Sequence, residues 1–266
     1  MPKFVIDDRY EDVDFPTEAP FVFGDCGVPA YDQEQFGAYE DSVQTLSQSR
    51  LREVAERQEE HGGLENLMAR VFDQYREGSC VSQACAQAAE LNQSKQHGKE
   101  NVVSLSAISL YKQIGRSASS GATVSSGMRR MSATGILPLD TPENRAEFGD
   151  HVMPNVGFGE RYPDNWQETA ARFQSLETHV IRSVDGILTA LARQEPVVVG
   201  RQGHWICYVR PIWDGGWKVL YANSWGEDWG QAAGDFAGGF GIDTIRNIQR
   251  SAGWAFAVRS VRGRSV

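Results

Sequence analysis

Gln74-Tyr75-Arg76-Glu77-Gly78-Ser79-Cys80, continued by Val81-Ser82-Gln83-Ala84-Cys85-Ala86-Gln87-Ala88-Ala89-Glu90-Leu91, is the stretch on which the fold turns. Its second half is rich in alanine and has no glycine or proline, so it predicts a helix that begins at Cys80. An ordinary thiol, with a pKa of about 8.5, is mostly protonated at neutral pH. The N-terminus of a helix and a neighbouring imidazolium both favour the thiolate.

Far downstream, Gly203-His204 and Asn223-Ser224-Trp225-Gly226-Glu227-Asp228-Trp229-Gly230 supply matching parts. An imidazole that activates a thiol and later protonates a leaving amine needs its far nitrogen held by an acceptor, and Asn223 offers a side-chain oxygen. The oxyanion of a tetrahedral intermediate needs donors already aimed at it. Gln74 is the candidate, with the Cys80 backbone N–H as the second donor. Trp225, two residues past Asn223, is placed to keep water off the histidine–asparagine bond, and Trp229 is the second aromatic assigned to the site. Cys80, His204 and Asn223 are therefore the expected catalytic residues.

These residues resemble the papain-like cysteine peptidase family. Its Q-x5-C pattern, with Gly-Ser directly before the cysteine, is matched by Gln74, Gly78, Ser79 and Cys80, and its Asn-Ser-Trp-Gly-x-x-Trp-Gly motif by residues 223–230. His204 lies 124 and Asn223 143 residues beyond Cys80, near the roughly 130–150 of such enzymes. Ser104-Leu105-Ser106 is similar to a helix start of the family, and residues 121–135 to its glycine loop and following helix beside the non-primed cleft. The resemblance covers about residues 64–261.

The resemblance implies an α+β, two-lobed fold in which an α-rich lobe carrying the nucleophile helix packs against a β-rich lobe, with the cleft between them. It implies peptide-bond hydrolysis through a thioester on a polypeptide substrate, with neither metal nor organic cofactor. Gly121, Ala122, Val199, Gly203 and Trp205 are the expected substrate-binding residues. Three features depart from the family: Val81 stands where an aromatic residue is usual, the disulfide cysteines around the helix are missing, and Cys85 has no evident partner. These point to a bacterial or phage-type branch. Only Gly200-Arg201-Gln202-Gly203 separates the Val197–Val199 run from His204, where the family usually carries a long loop. An open leaving-group side is expected, with Trp205 narrowing a non-primed pocket.

With 266 residues, 41% of them hydrophobic, the chain has room for one large or two small domains. It has no apolar run of about 18 residues, which excludes a membrane-spanning helix, and its start lacks a signal peptide's apolar centre. Cys26, Cys80, Cys85 and Cys207 include no close pair framing a disulfide scaffold or zinc site, which fits the cytoplasm or another reducing compartment. Cys26, Cys85 and Cys207 read as small buried hydrophobes. His61, His97, His151 and His179 read as solvated or core-satisfied.

Residues 1–62 hold 15 acidic and 5 basic side chains within a net charge of −9. That argues against nucleic acid as a partner and sets these residues apart as an acidic, prosegment-like N-terminal segment. It is expected to contact the cleft of the catalytic domain and cover it. Residues 63–175 are expected to form the α-rich lobe and 176–266 the β-rich lobe. Helices are predicted over 40–60, 107–114, 124–134 and 184–193, strands over 197–199, 204–209, 217–222 and 254–261, and a hairpin turn at Asp214-Gly215-Gly216. Two other readings remain: a catalytically silent papain-like domain serving as a structural or binding module in a larger assembly, and a thiol amidase or acyltransferase acting on a non-protein substrate.

Overall fold

The computed structural model describes residues 6–15, 36–201 and 203–262. Its helices are α1 (Tyr39–Ser42), α2 (Gln48–His61), α3 (Cys80–His97), α4 (Ala107–Ile114), α5 (Val124–Ala133), α6 (Pro142–Phe148), α7 (Trp166–Ala170), α8 (Val184–Ala192) and α9 (Ile245–Ser251). Its strands are β1 (Ser175–Ile181), β2 (Val197–Arg201), β3 (His204–Trp213), β4 (Trp217–Ala222), β5 (Gln231–Ala233), β6 (Phe236–Thr244) and β7 (Ala255–Val261). The strands form one sheet in the order β1-β7-β2-β3-β4-β6-β5, antiparallel throughout.

α3 begins at Cys80, as its composition predicts, and is buried at every position from Cys80 to Ser94. A helix enclosed on all sides has no solvent stripe. Ala84, Ala86, Ala88 and Ala89 let neighbours close in, and its buried polar groups find partners. Asn92 Nδ2 donates to the Ala88 and Val258 carbonyls, each at 2.9 Å. Glu90 accepts from Leu105 N at 2.7 Å and pairs with Arg70 at 2.9 Å. In α5, a Cβ on Gly127 would come within 2.7 Å of Val81 Cγ1. Glycine there is what lets α5 lie so close to α3.

The sheet separates two cores by its two-residue period. Trp205, Cys207 and Val209 of β3 join the core shared with α3, α4 and α5. Ile206 and Tyr208 join the other core with Val197, Val199, Leu51, Ile187, Leu188 and Ile248. Tyr39, Val43, Leu51 and Ala55 of the acidic N-terminal segment belong to this second core. The described part of that segment is thus packed into the molecule rather than standing apart.

Two expectations need correction. The helix expected over 40–60 is broken between α1 and α2, because Leu46 N donates to Thr189 Oγ1 at 3.0 Å and Ser47 caps a new start by accepting from Arg50 N. β1, β5 and β6 were not anticipated. β6 carries Gly238, Gly239 and Gly241, which mask a strand in a pattern reading. The predicted hairpin at Asp214 joins β3 to β4, with Trp213 paired to Trp217.

Candidate active site

The loop before α3 is tied to the loop after β4. Asp73 bridges to Trp225, Gln74 N donates to the Ser224 carbonyl at 2.9 Å, and Gly226 N donates to the Phe72 carbonyl at 3.0 Å. On its other side Gly78 N donates to the Ala118 carbonyl at 2.7 Å. A Cβ at Gly78 would lie 2.8 Å from Gly121 N, so glycine is required for Gly121 to come alongside. Glu77 Oε1 accepts from the backbone of Gly157 and Phe158, each at 2.9 Å. Cys80, at the end of this braced loop, is 1% exposed.

Asn223 directly follows β4. Its Oδ1 accepts from His204 Nε2 at 2.7 Å and from Ser224 N at 2.8 Å. With the Nε2 hydrogen given to Asn223, the imidazole's basic lone pair is on Nδ1. Trp225 stacks on the His204 ring, centroids 4.9 Å apart at 29°, and Trp229 stands edge-on to Trp225 at 5.3 Å. His204 is 1% exposed. Burial draws its pKa from 6.5 down to about 4, opposed by the Asn223 hydrogen bond and assisted by the Arg201 cation. The ring is therefore neutral near neutral pH, its Nδ1 lone pair unprotonated.

The Gln74 carboxamide is fixed at both ends. Its Oε1 accepts from Ser224 Oγ at 2.7 Å, and its Nε2 donates to the Glu77 carbonyl at 2.8 Å. Gln74 thus belongs to both motifs at once, through its chain position and through Ser224.

Other expected residues fall elsewhere. Val199 and Trp205 are fully buried, one in each core, and the Trp205 ring presses on Gly200, where a Cβ would lie 2.8 Å from it. The strand period turns both side chains into the cores. Gly203 lies in the tight β2–β3 connection with φ +81°. Cys85 and Cys207 are buried, and burial pushes both thiols up. Cys26 lies outside the described residues.

Beside His204, where an open leaving-group side was expected, an aromatic ring is packed. Phe15, 2% exposed, stands edge-on to His204 at 5.0 Å and to Trp225 at 5.2 Å. Sequence reasoning missed it because the first 37 residues carry no periodicity to single it out. Among the described residues, no group of three or more His, Cys, Asp or Glu side chains is placed to hold a metal, and no helix is long and apolar enough to cross a membrane.

No family model matches this sequence, and no curated protein does either. Solved structures do resemble it. A digestive procathepsin L 3 from the larval midgut of Tenebrio molitor superimposes with a TM-score of 0.57 at 17% identity, over 73% of this chain and 67% of that one. Xylellain, a cysteine protease from Xylella fastidiosa, gives 0.55 at 18% identity over 73% and 83%. The Amb a 11 cysteine protease, a ragweed pollen allergen, in its proform gives 0.55 at 16% identity over 76% and 65%. At these identities the likeness is one of fold: the chain has the papain-like, two-lobed α+β fold.

Proposed function

We propose that the protein is a cysteine endopeptidase working through Cys80, His204 and Asn223. The observation that carries this is the 2.7 Å bond from His204 Nε2 to Asn223 Oδ1 under the Trp225 ring, in a fold whose neighbours are cysteine proteases. His204 Nδ1 takes the Cys80 proton, and the sulfur attacks the peptide carbonyl carbon. The oxyanion that forms is met by Gln74 Nε2, one of whose hydrogens is used by Glu77, and by the Cys80 backbone N–H. As the C–N bond breaks, His204 returns the proton to the leaving amine and a thioester remains. Water, deprotonated by His204, then attacks the thioester and expels the Cys80 thiolate.

Asn223 holds the imidazole tautomer and orientation, while Trp225 keeps that bond dry. Gly121 and Ala122 are assigned to the non-primed part of a polypeptide, a role supported by the closeness of Gly121 to Gly78 in the Cys80 loop. The N-terminal segment reaches the site through Phe15, which supports the expectation that residues 1–62 contact the cleft. The 1% exposure of both Cys80 and His204 favours one second reading, a catalytically silent domain.

Incubation with casein separates the two. Wild type is expected to cut it into peptides, with cleavage lost in Cys80→Ser and after treatment with iodoacetamide. Casein left intact by the wild type contradicts the endopeptidase reading.

A further inference from the structure

β2 and β3 are joined by residues 202–203 alone, with Arg201 paired to His204 across the hairpin. Where a longer connection would have built a wall beside the histidine, Phe15 stands instead. Its ring is edge-on to three aromatic neighbours: His204 at 5.0 Å, Trp225 at 5.2 Å and Tyr221 at 6.2 Å. The Arg201 guanidinium lies over the Phe15 ring at 4.5 Å and donates to the Val13 carbonyl. Arg201 is itself paired with Asp243 at 2.9 Å.

Residues 6–15 are built into the fold. Asp7 N donates to Gln231 Oε1 at 2.8 Å, Tyr10 lies edge-on to Trp229 at 5.8 Å, and Asp12 N donates to the Ile242 carbonyl at 2.8 Å. Asp12 Oδ1 accepts from Thr244 N and Asn247 Nδ2, each at 2.8 Å, at the start of α9. A segment that serves the N-terminus of another helix is costly to remove. A detachable cover would not be expected to share its contacts with the sheet in this way.

We propose that Phe15 is a positioning residue for His204, and that residues 6–15 are a resident part of the site rather than a removable plug. Phe15 holds the imidazole against Trp225 and closes the side of the His204–Asn223 bond that the short hairpin leaves uncovered. Its effect on turnover rests on the endopeptidase reading; its effect on the imidazole does not.

The test compares full-length wild type, F15A and F15L. The His204 Cε1–H NMR signal, assigned by its loss in H204Q, is followed through a pH titration, and casein cleavage is measured in parallel. F15L is expected to titrate with the wild type. F15A is expected to raise the His204 midpoint by about one pH unit, as water reaches the ring, and to lower kcat about 10- to 100-fold with little change in KM. A His204 midpoint in F15A equal to that of the wild type overturns the proposal, as does faster cleavage by F15A. Should F15A fail to fold, F15V takes its place under the same criteria. If the wild type itself cuts nothing, the endopeptidase reading fails, and the His204 midpoint still decides the role of Phe15.

Discussion

Ser224 Oγ donates to Gln74 Oε1 at 2.7 Å. The residue after the histidine's partner thereby orients the carboxamide assigned to the oxyanion, so the two motifs act as one unit. Gln74→Ala is expected to lower kcat about 100- to 1000-fold with KM little changed, the usual cost of losing one oxyanion donor. Ser224→Ala, which frees the carboxamide without deleting it, is expected to fall between Gln74→Ala and the wild type. Steady-state kinetics on one peptide substrate decides this; equal kcat values for wild type and Gln74→Ala contradict it.

The depressed pKa of His204 has a consequence for stability. Its value is about 4 in the folded chain and about 6.5 when unfolded. Between these values the unfolded chain binds a proton that the folded chain refuses, so stability contributed at neutral pH is lost as pH falls from 6.5 to 4. The loss amounts to about 3 kcal/mol. Asp243, raised to about 6 by burial, acts in the opposite sense: its contribution is present below about 4 and is lost as pH rises from there through 6. Comparing urea unfolding of wild type and His204→Gln at pH 4.5 and 7 cancels the Asp243 effect. The wild type should lose more stability on acidification than the variant, and parallel behaviour contradicts a buried neutral imidazole.

The Arg201–Asp243 pair spans 2.9 Å with both side chains almost fully buried. Tyr208 Oη donates to Asp243 at 2.7 Å. Asp243→Ala leaves the Arg201 charge buried without its carboxylate and should cost about 3–5 kcal/mol of folding stability. Because Arg201 also holds Val13, the loss should be accompanied by faster proteolysis near residue 15, read by limited digestion and mass spectrometry. Unchanged stability would show that the pair is dispensable.

The elements that carry the candidate site were legible in the sequence, and the reason is local. Cys80 sits where an alanine-rich helix must begin, His204 opens an apolar strand, and Asn223 closes another, so element boundaries alone place these side chains at the ends of elements. That Val199 and Trp205 are core side chains was not legible, because proximity to His204 in sequence says nothing about which face of a strand a residue uses. Phe15 and Asp12 could not be found at all. Their partners lie some 190 to 235 residues away, and a segment without periodicity carries no trace of a long-range contact. The break between α1 and α2 has a similar origin, since it depends on Thr189.

The approach of α5 to α3 gives a separate check on packing. Gly127→Ala places a methyl against Val81 Cγ1 and should destabilise the fold by about 1–3 kcal/mol. The double variant Gly127→Ala, Val81→Ala should recover part of that loss in the same urea titration. No recovery would place the strain elsewhere.

The central claim, that Cys80 is a nucleophile activated by His204, is tested most directly by mass spectrometry of the full chain after treatment with a papain-type epoxide inhibitor. One covalent adduct is expected, mapped to Cys80, that disappears in Cys80→Ala and forms about 100-fold more slowly in His204→Ala. A wild-type protein that takes up no epoxide at Cys80, or that takes it up equally fast without His204, would contradict it.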